Sequence, residues 1–465
     1  MNRSNKVLRR PCAAARAFVL AILALRSLAA PSAEKGHTNN IPPWSSQPLS
    51  VADAVNLALK QNGAILRGKS DLEAQYGVVI QTRAIAIPKV EATGNYQTSS
   101  EVEAYPFPLS PPVQRETWYS NIRLLQSIYE GGRITASLRS ARLTKDQAVL
   151  QYQTVVADAV LSVRVAYYDV LSAIEQVVVN EASVKLLAQT LDDQNRRYDA
   201  GTVPRFNVLQ AEVELANERP KLIQARNALR IAKNNLVNVL GSQLPAGTWE
   251  DIPVNLTDHL DSDPYQIDLP VALSKALESR SELAALRKAE GLRREDLVNA
   301  RAGYKPSVQL FAGYGGRNSG FNNDLGHDVS GYTAGAQFTW EIFDGLQTKG
   351  KVDQARALYQ GSKVDVDNET RSIELDVRTA YSNFIEARET LESQKKVQEE
   401  AEEALRLAIA RSDAGTGTQL DVLTAQTSLT TARSTQVQAL HDYDVDRARL
   451  ERAIGLNTYG QQPAH

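Results

Sequence analysis

The chain repeats itself. Laid against itself at an offset of 214, residues 128 to 241 align with 342 to 455 without a gap, and Ile128, Gly131, Ala141, Arg142, Val163, Arg164, Ala166 and Tyr167 meet Ile342, Gly345, Ala355, Arg356, Val377, Arg378, Ala380 and Tyr381. The densest match sets Arg197-Tyr-Asp-Ala-Gly-Thr202 against Arg411-Ser-Asp-Ala-Gly-Thr416, continued by Val208, Leu209 and Ala211 against Val422, Leu423 and Ala425. Upstream the offset becomes 218, pairing Ala54, Ala58, Leu59, Arg83, Pro88 and Tyr96 with Ala272, Ala276, Leu277, Arg301, Pro306 and Tyr314. A period above 200 residues is far longer than the roughly 20 to 50 of a solenoid unit. The chain is therefore one fold written twice, at 49–241 and 269–455, joined by a linker at 242–268 and flanked by short segments at 34–48 and 456–465.

Each copy has the same order of elements. A helix of about 35 residues, Leu49 to about Ala86, opens the first, with Val51, Ala54, Val55, Ala58 and Leu59 on one face. Two strands follow: alternation places Val90, Ala92, Gly94 and Tyr96 on one side of the first, and Val308, Leu310, Ala312 and Tyr314 on one side of its counterpart. Their partners are TWYSNIRLLQSIY and GYTAGAQFTWEIF, reached through loops rich in Pro (Pro106, Pro108, Pro111, Pro112) or in Gly and Asn (315–323). A helix from about Arg133 to Arg197 comes next, on the order of 100 Å long at ~1.5 Å per residue, which is wider than any single core. After the turn Ala200-Gly201-Thr202, Leu215, Leu222, Leu229 and Leu236 recur every seventh residue with Ala225, Ala232 and Val239 between them, a coiled-coil seam. Pro220 is expected to kink this helix. The second copy keeps Leu429, Ala432, Ala439, Tyr443, Leu450 and Ala453 but places Gln436 and Asp446 in the seam, so its partner surface is expected to be wetter.

The amino terminus fixes the compartment. Arg3, Lys6, Arg9, Arg10, Arg16 and Arg26 occur there without an acid, around the run AFVLAILAL and before SLAAPSA, the pattern of a signal peptide at 1–33 cleaved near Ala30 or Ala33. Removing six cations takes the net charge from -2 to -8 and removes Cys12, so the exported chain has no cysteine. That balance gives no electrostatic case for nucleic-acid binding. No later stretch supplies about 18 uncharged apolar residues, so no transmembrane helix is expected. His37, His259, His327, His441 and His465 lack ligand spacing, and none adjoins a nucleophile. GYGGRNSG at 313–320 lacks the Gly-Lys-Ser/Thr of a phosphate loop and opens no helix. Neither an enzyme nor a cofactor or metal protein is expected.

Trp118, Tyr119, Tyr129, Tyr314, Tyr332, Phe338, Trp340 and Phe343 cluster at strand ends, as interface aromatics of outer-membrane barrels do; packing in a soluble sheet accounts for them equally. Topology separates the two. Four strands of about ten residues match a tilted bilayer crossing, yet closure without an edge in lipid needs about eight or more. One chain cannot close a barrel; several chains sharing strands can.

The export signal, the tandem repeat, the strand hairpin followed by a helix of about 65 residues, and the paired turns RYDAGT…NVLQA and RSDAGT…DVLTA resemble the TolC-like outer-membrane efflux proteins over about residues 49 to 456. The resemblance implies an α+β membrane protein. Three subunits would each give four strands to a 12-stranded β-barrel and their helices to a long periplasmic α-helical barrel. It also implies partners: a periplasmic adaptor protein and an energised inner-membrane pump of the RND or ABC type, with outer-membrane lipid around the strands. The chain would be a passive conduit. In the family the helix turns form the narrow entrance and the adaptor contact, which makes Ala200, Gly201, Thr202, Ala414, Gly415 and Thr416 docking candidates. Thr418 with Asp421 makes a capping box. Three copies of Asp421 at a narrow mouth would also favour cations. Asn207 occupies the first-repeat position of Asp421, Ser412 stands where Tyr198 stands in the first turn, and Gly417 is no base, so the family's Asp, Tyr and Arg closure is not intact. Arg197, Arg205, Asp199, Arg411 and Asp413 are the charges available for a different one. Two rival readings are a soluble periplasmic coiled-coil adaptor, which would not duplicate a bilayer-length hairpin, and a secreted filament subunit, which the aromatic strand ends disfavour.

Overall fold

The computed structural model describes residues 48–98, 116–242, 252, 254–260, 262–318 and 328–456. The leader, Cys12, His37, His327, His465 and the proline-rich loop lie outside the described residues. In the first repeat the helices are α1 (Val51–Gln61), α2 (Gly63–Arg83), α3 (Arg133–Asp199) and α4 (Arg205–Leu240). In the second they are α5 (Leu269–Ser279), α6 (Ser281–Arg301), α7 (Gln347–Asp413) and α8 (Gln419–Ile454). Helices α3 and α7 are each 67 residues long, and α4 and α8 each 36. Strands β2 (Lys89–Thr98), β3 (Glu116–Glu130), β5 (Ser307–Asn318) and β6 (Asp328–Thr339) form one antiparallel sheet in that order, while β1 (Pro48–Leu49) and β4 (Asn255–Leu256) pair in parallel.

The expected single helix from Leu49 to Ala86 is two helices and a 3-10 turn, because the backbone turns extended at Asn62. The Asn62 side chain replaces the lost helical bonds. Its Oδ1 accepts the N–H groups of Ala64 (2.8 Å) and Ile65 (3.2 Å), and its Nδ2 donates to the Val239 carbonyl at 2.6 Å. The second repeat breaks at the matching position, Arg280. Ser50 and Asp53 cap α1 reciprocally.

The same positions are buried in both repeats: Val163 and Val377, Val170 and Phe384, Leu236 and Leu450, Leu240 and Ile454. Around the first set pack Val55 and Tyr167; around the second pack Leu283, Ile373 and Tyr443. The linker belongs to both cores. Val254, Leu256 and Leu260 lie on the first and Tyr265 and Ile267 on the second. Two tyrosine hydroxyls hold it there: Tyr167 donates to the Leu49 carbonyl at 2.8 Å and accepts from the Asp258 N–H at 3.4 Å, and Tyr443 donates to the Asp263 carbonyl at 2.6 Å.

The seam of the second repeat is the more buried of the two, and polar as expected. Helix α8 has the more buried surface of the two return helices, because it packs against both α7 and α3, whereas α4 packs chiefly against α3. Gln436 and Asp446 are only half-buried at its margin, and Asp446 accepts an ion pair from Arg449 at 2.9 Å. Pro220 lies inside α4, which is continuous across it.

The repeats join by a pattern that one chain leaves incomplete. Helix α3 of the first repeat packs on α6 and α8 of the second, and β3 pairs with β5. Among the described residues, the repeat-related contacts, α7 on α2 and α4 and β6 on β2, have no comparable packing. The surfaces that would make them are exposed and partly apolar: Val364 and Leu375 on α7, Ile80 on α2, Ile223 and Ile231 on α4.

Candidate functional site

The sheet has two chemically distinct faces. Register pairs Val90 with Leu124, Ala92 with Ile122 and Tyr96 with Trp118, then Ile122 with Tyr314 and Leu124 with Ala312, then Leu310 with Ala336 and Tyr314 with Tyr332. Because paired residues in an antiparallel sheet share a side, these even-numbered positions make one continuous apolar face. The odd-numbered positions make a mainly polar face: Lys89, Glu91, Thr93, Asn95 and Gln97; Thr117, Tyr119, Asn121 and Arg123; Gln309 and Arg317; Thr333 and Gln337, with Leu125, Phe311 and Val329 as its apolar members. The apolar face lies open, with Tyr332 86% and Tyr314 62% exposed. Of the aromatics expected at the membrane interface, Trp118, Tyr314, Tyr332 and Phe338 stand on the apolar face. Tyr119 does not; it pairs with Asn95 and Arg317 on the polar one. Tyr129 has the wrong parity yet reaches the apolar face, because the register shifts between Ser127 and Tyr129 and sets it opposite Val308. Trp340 and Phe343 follow β6, and Trp340 Nε1 donates to the Tyr304 carbonyl at 3.3 Å.

At the far end the two helical turns superpose by sequence and by geometry. Gly201 and Gly415 have φ of 72° and 73°, the left-handed conformation that lets the chain leave α3 and α7 without a Cβ clash. Ala200 and Ala414 close the helices, and the N–H groups of Thr202 and Thr416 return to the carbonyls of Arg197 and Arg411, each at 2.9 Å. Asp421 caps α8: its carboxylate accepts the Thr418 N–H at 2.9 Å while the Thr418 hydroxyl accepts its N–H at 3.2 Å. These bonds, with Arg411 nearby, hold the carboxyl below its ordinary range. Asn207, at the same place on α4, has no such cap; Pro204 precedes that helix. Arg197 connects the two turns, with Asp413 at 3.0 Å across the gap and Asp193 at 2.7 Å on its own helix. Asp199 and Arg205 have no ion pair among the described residues. Tyr198, Phe206, Leu209 and Leu420 leave the ends of the hairpins with exposed apolar surface.

Between turn and sheet, α3 and α8 meet along a polar ladder that sequence reading missed. Gln194 donates to Gln419 (2.9 Å), Gln426 to Thr190 (3.0 Å), Thr430 to Ser183 (3.1 Å) and Ser434 to Gln176 (2.8 Å). Arg164 donates to Glu451 at 2.6 Å with both side chains buried, and Arg452 bridges Asp158 of α3 and Glu282 of α6. The α3–α8 partners lie 225 or more residues apart along the chain, and Arg452 and Glu282 170 apart, so no local pattern announces them. The repeat alignment carried one hint, since Arg164 recurs as Arg378.

His441 is the titrating member of the ladder. Its Nε2 lies 2.8 Å from Asp169 and its Nδ1 3.0 Å from Asp442, so both ring nitrogens face carboxylates and only the imidazolium can donate to both. Burial opposes the charge, but the two carboxylates prevail and raise the pKa above its ordinary 6.5. A raised folded value contributes stability that is complete below the unfolded pKa and disappears as pH climbs through the folded one. The stability difference between the native chain and His441→Gln should therefore be greatest below about pH 6.5 and shrink above it. Denaturant midpoints measured across this range check the sign; a difference that grows with pH would contradict it.

A bilayer-facing strand band, polar on its other side and carried on helical hairpins, defines a subunit of an outer-membrane export channel. The comparisons agree. The model of the Outer membrane efflux protein family matches residues 54–242 and 272–456, and the chain belongs to that family. It is similar to the outer membrane protein TolC of Vibrio cholerae, 24% identical over 87% of this chain and 90% of that one. It is also similar to the cobalt-zinc-cadmium resistance protein CzcC of Cupriavidus metallidurans, 25% identical over 89% and 92%. Among solved structures, the CmeC outer membrane channel of Campylobacter jejuni superposes with a TM-score of 0.76 at 16% identity, covering 89% of this chain and 87% of that one. The protein resides in the outer membrane with its helical body extending into the periplasm.

Proposed function

We propose that three copies of the chain close into a passive duct, with the polar sheet face lining a 12-stranded barrel and the helices forming a periplasmic tube. The observation that carries this reading is the set of open surfaces left by the repeat. Among the described residues each inter-repeat contact lacks its counterpart, and the counterparts all lie on the same two edges of the subunit: β6 and α7 on one, β2, α2 and α4 on the other. Such a head-to-tail interface makes a ring when its rotation closes, and three copies supply the strands that one lacks. The exposed turns, including Gly201 and Gly415, dock a periplasmic adaptor, and an inner-membrane pump of the RND or ABC type supplies the energy and most of the substrate choice.

Asp421 tests the entrance. Its carboxylate is exposed and held ionised by its cap, so three copies at a narrow mouth favour cations. Single-channel recordings in planar bilayers should show Asp421→Asn with cation preference reduced by about threefold or more. Unchanged preference at wild-type conductance would leave Asp421 as a helix cap alone.

A further inference from the structure

We propose that Arg317 forms a ring of three guanidinium groups at the outer end of the barrel, concentrating anions where the duct opens. The inference rests on the duct reading above and adds an exit specificity to it. Arg317 is the penultimate residue of β5, at the end of the sheet away from the helices, and its odd position sets it on the polar face. Its register partners are Tyr119 and Val329, and Tyr119 pairs onward with Asn95, so no carboxylate shares its level on any strand. It has no ion pair among the described residues.

The nearest acids among the described residues do not cancel it. Asp328 and Glu116 are close along the strands, but their even positions place them on the opposite, apolar side. Glu91 is on the polar face, four residues below Asn95 on β2, or about 13 Å at ~3.3 Å per residue. That exceeds the Debye length of about 8 Å at physiological salt. Glu91 also stands directly opposite Arg123, whose charge it offsets first. Glu130 is farther still, at the helix end of β3, paired with Arg133 at 3.8 Å. Among the described residues, the outer half of the polar face therefore carries one unopposed charge per subunit. Recurring every four strands at ~4.8 Å per strand, the three copies lie on the order of 20 Å apart around the hoop. They form a cationic collar at the opposite end of the duct from the Asp421 carboxylates. Solutes bearing carboxylate, phosphate or sulfate groups would be held at this exit longer than cations.

The test uses the full-length mature protein in planar bilayers, with hexacyanoferrate(II) as a multivalent anion added on the strand side. Wild type, Arg317→Gln and Arg317→Lys are compared for half-blocking concentration. In about 0.1 M KCl, Arg317→Gln should raise it about threefold or more and Arg317→Lys should restore it; in about 1 M KCl, where the Debye length is about 3 Å, the difference should vanish. Equal block of Arg317→Gln and wild type at normal conductance would overturn the collar. Failure of wild type to form channels would instead overturn the duct itself.

Discussion

Arg164→Leu should destabilise the folded subunit by on the order of 3 kcal/mol, the usual cost of breaking a buried ion pair from one side. Arg164 and Glu451 lie at 2.6 Å with side-chain exposures of 10% and 6%, joining the first repeat to the second. The substitution leaves Glu451 dehydrated with Arg447, at 3.3 Å, as its one remaining ionic partner among the described residues. Most of the loss comes from that stranded carboxylate rather than from the attraction itself. Replacing both residues, Arg164→Leu with Glu451→Met, should therefore recover much of the stability. Denaturant midpoints of helical circular dichroism in detergent read both variants. A double variant as unstable as the sum of the singles would contradict this assignment.

Gly241→Ala should be equally severe, and its repeat partner gives the control. Gly241 ends α4 at φ 75° and Gly455 ends α8 at φ 79°, so alanine meets left-handed strain of about 1 to 2 kcal/mol at either. The surroundings differ. A Cβ at 241 would lie 2.3 Å from the Gln61 carbonyl oxygen and 2.8 Å from the Asn62 Cα, backbone that cannot step aside without disturbing the α1–α2 break. At 455 the nearest atom would be the Ser279 Cβ at 3.1 Å. Overpacking then adds about 1 to 3 kcal/mol at 241 and less at 455, where no atom comes within 3.0 Å. The same midpoints should fall markedly further for Gly241→Ala than for Gly455→Ala; equal losses would show that strain, not the close approach, decides.

What the sequence made legible was what repeats or runs long. The duplication needs no propensity scale, and heptads over the 36-residue return helices outweigh local exceptions. The break at Asn62 escaped because apolar spacing runs through it, while its cause is an amide reaching Val239, 177 positions away. The strand aromatics were recognised but not sorted. Their phase assigns Tyr119 to the polar face, and the bulge before Tyr129 reverses the parity that a simple count of alternation would use. Gln436 and Asp446 announced a polar seam on α8, but its second partner, α3, and the side chains that meet it came only from the fold. At the turns, Gly201, Gly415 and the Thr418–Asp421 cap followed from local rules, whereas choosing Asp413 for Arg197 over Arg205 with Asp199 required the fold.

The mass of the particle extracted from the outer membrane tests most directly whether the chain completes itself only in company. With detergent subtracted, light scattering should give three times the mature chain's mass, stable in mild detergent and reduced to one chain on heating. A monodisperse single chain before heating, with its α7, α4 and strand edges uncovered, would contradict the closed duct.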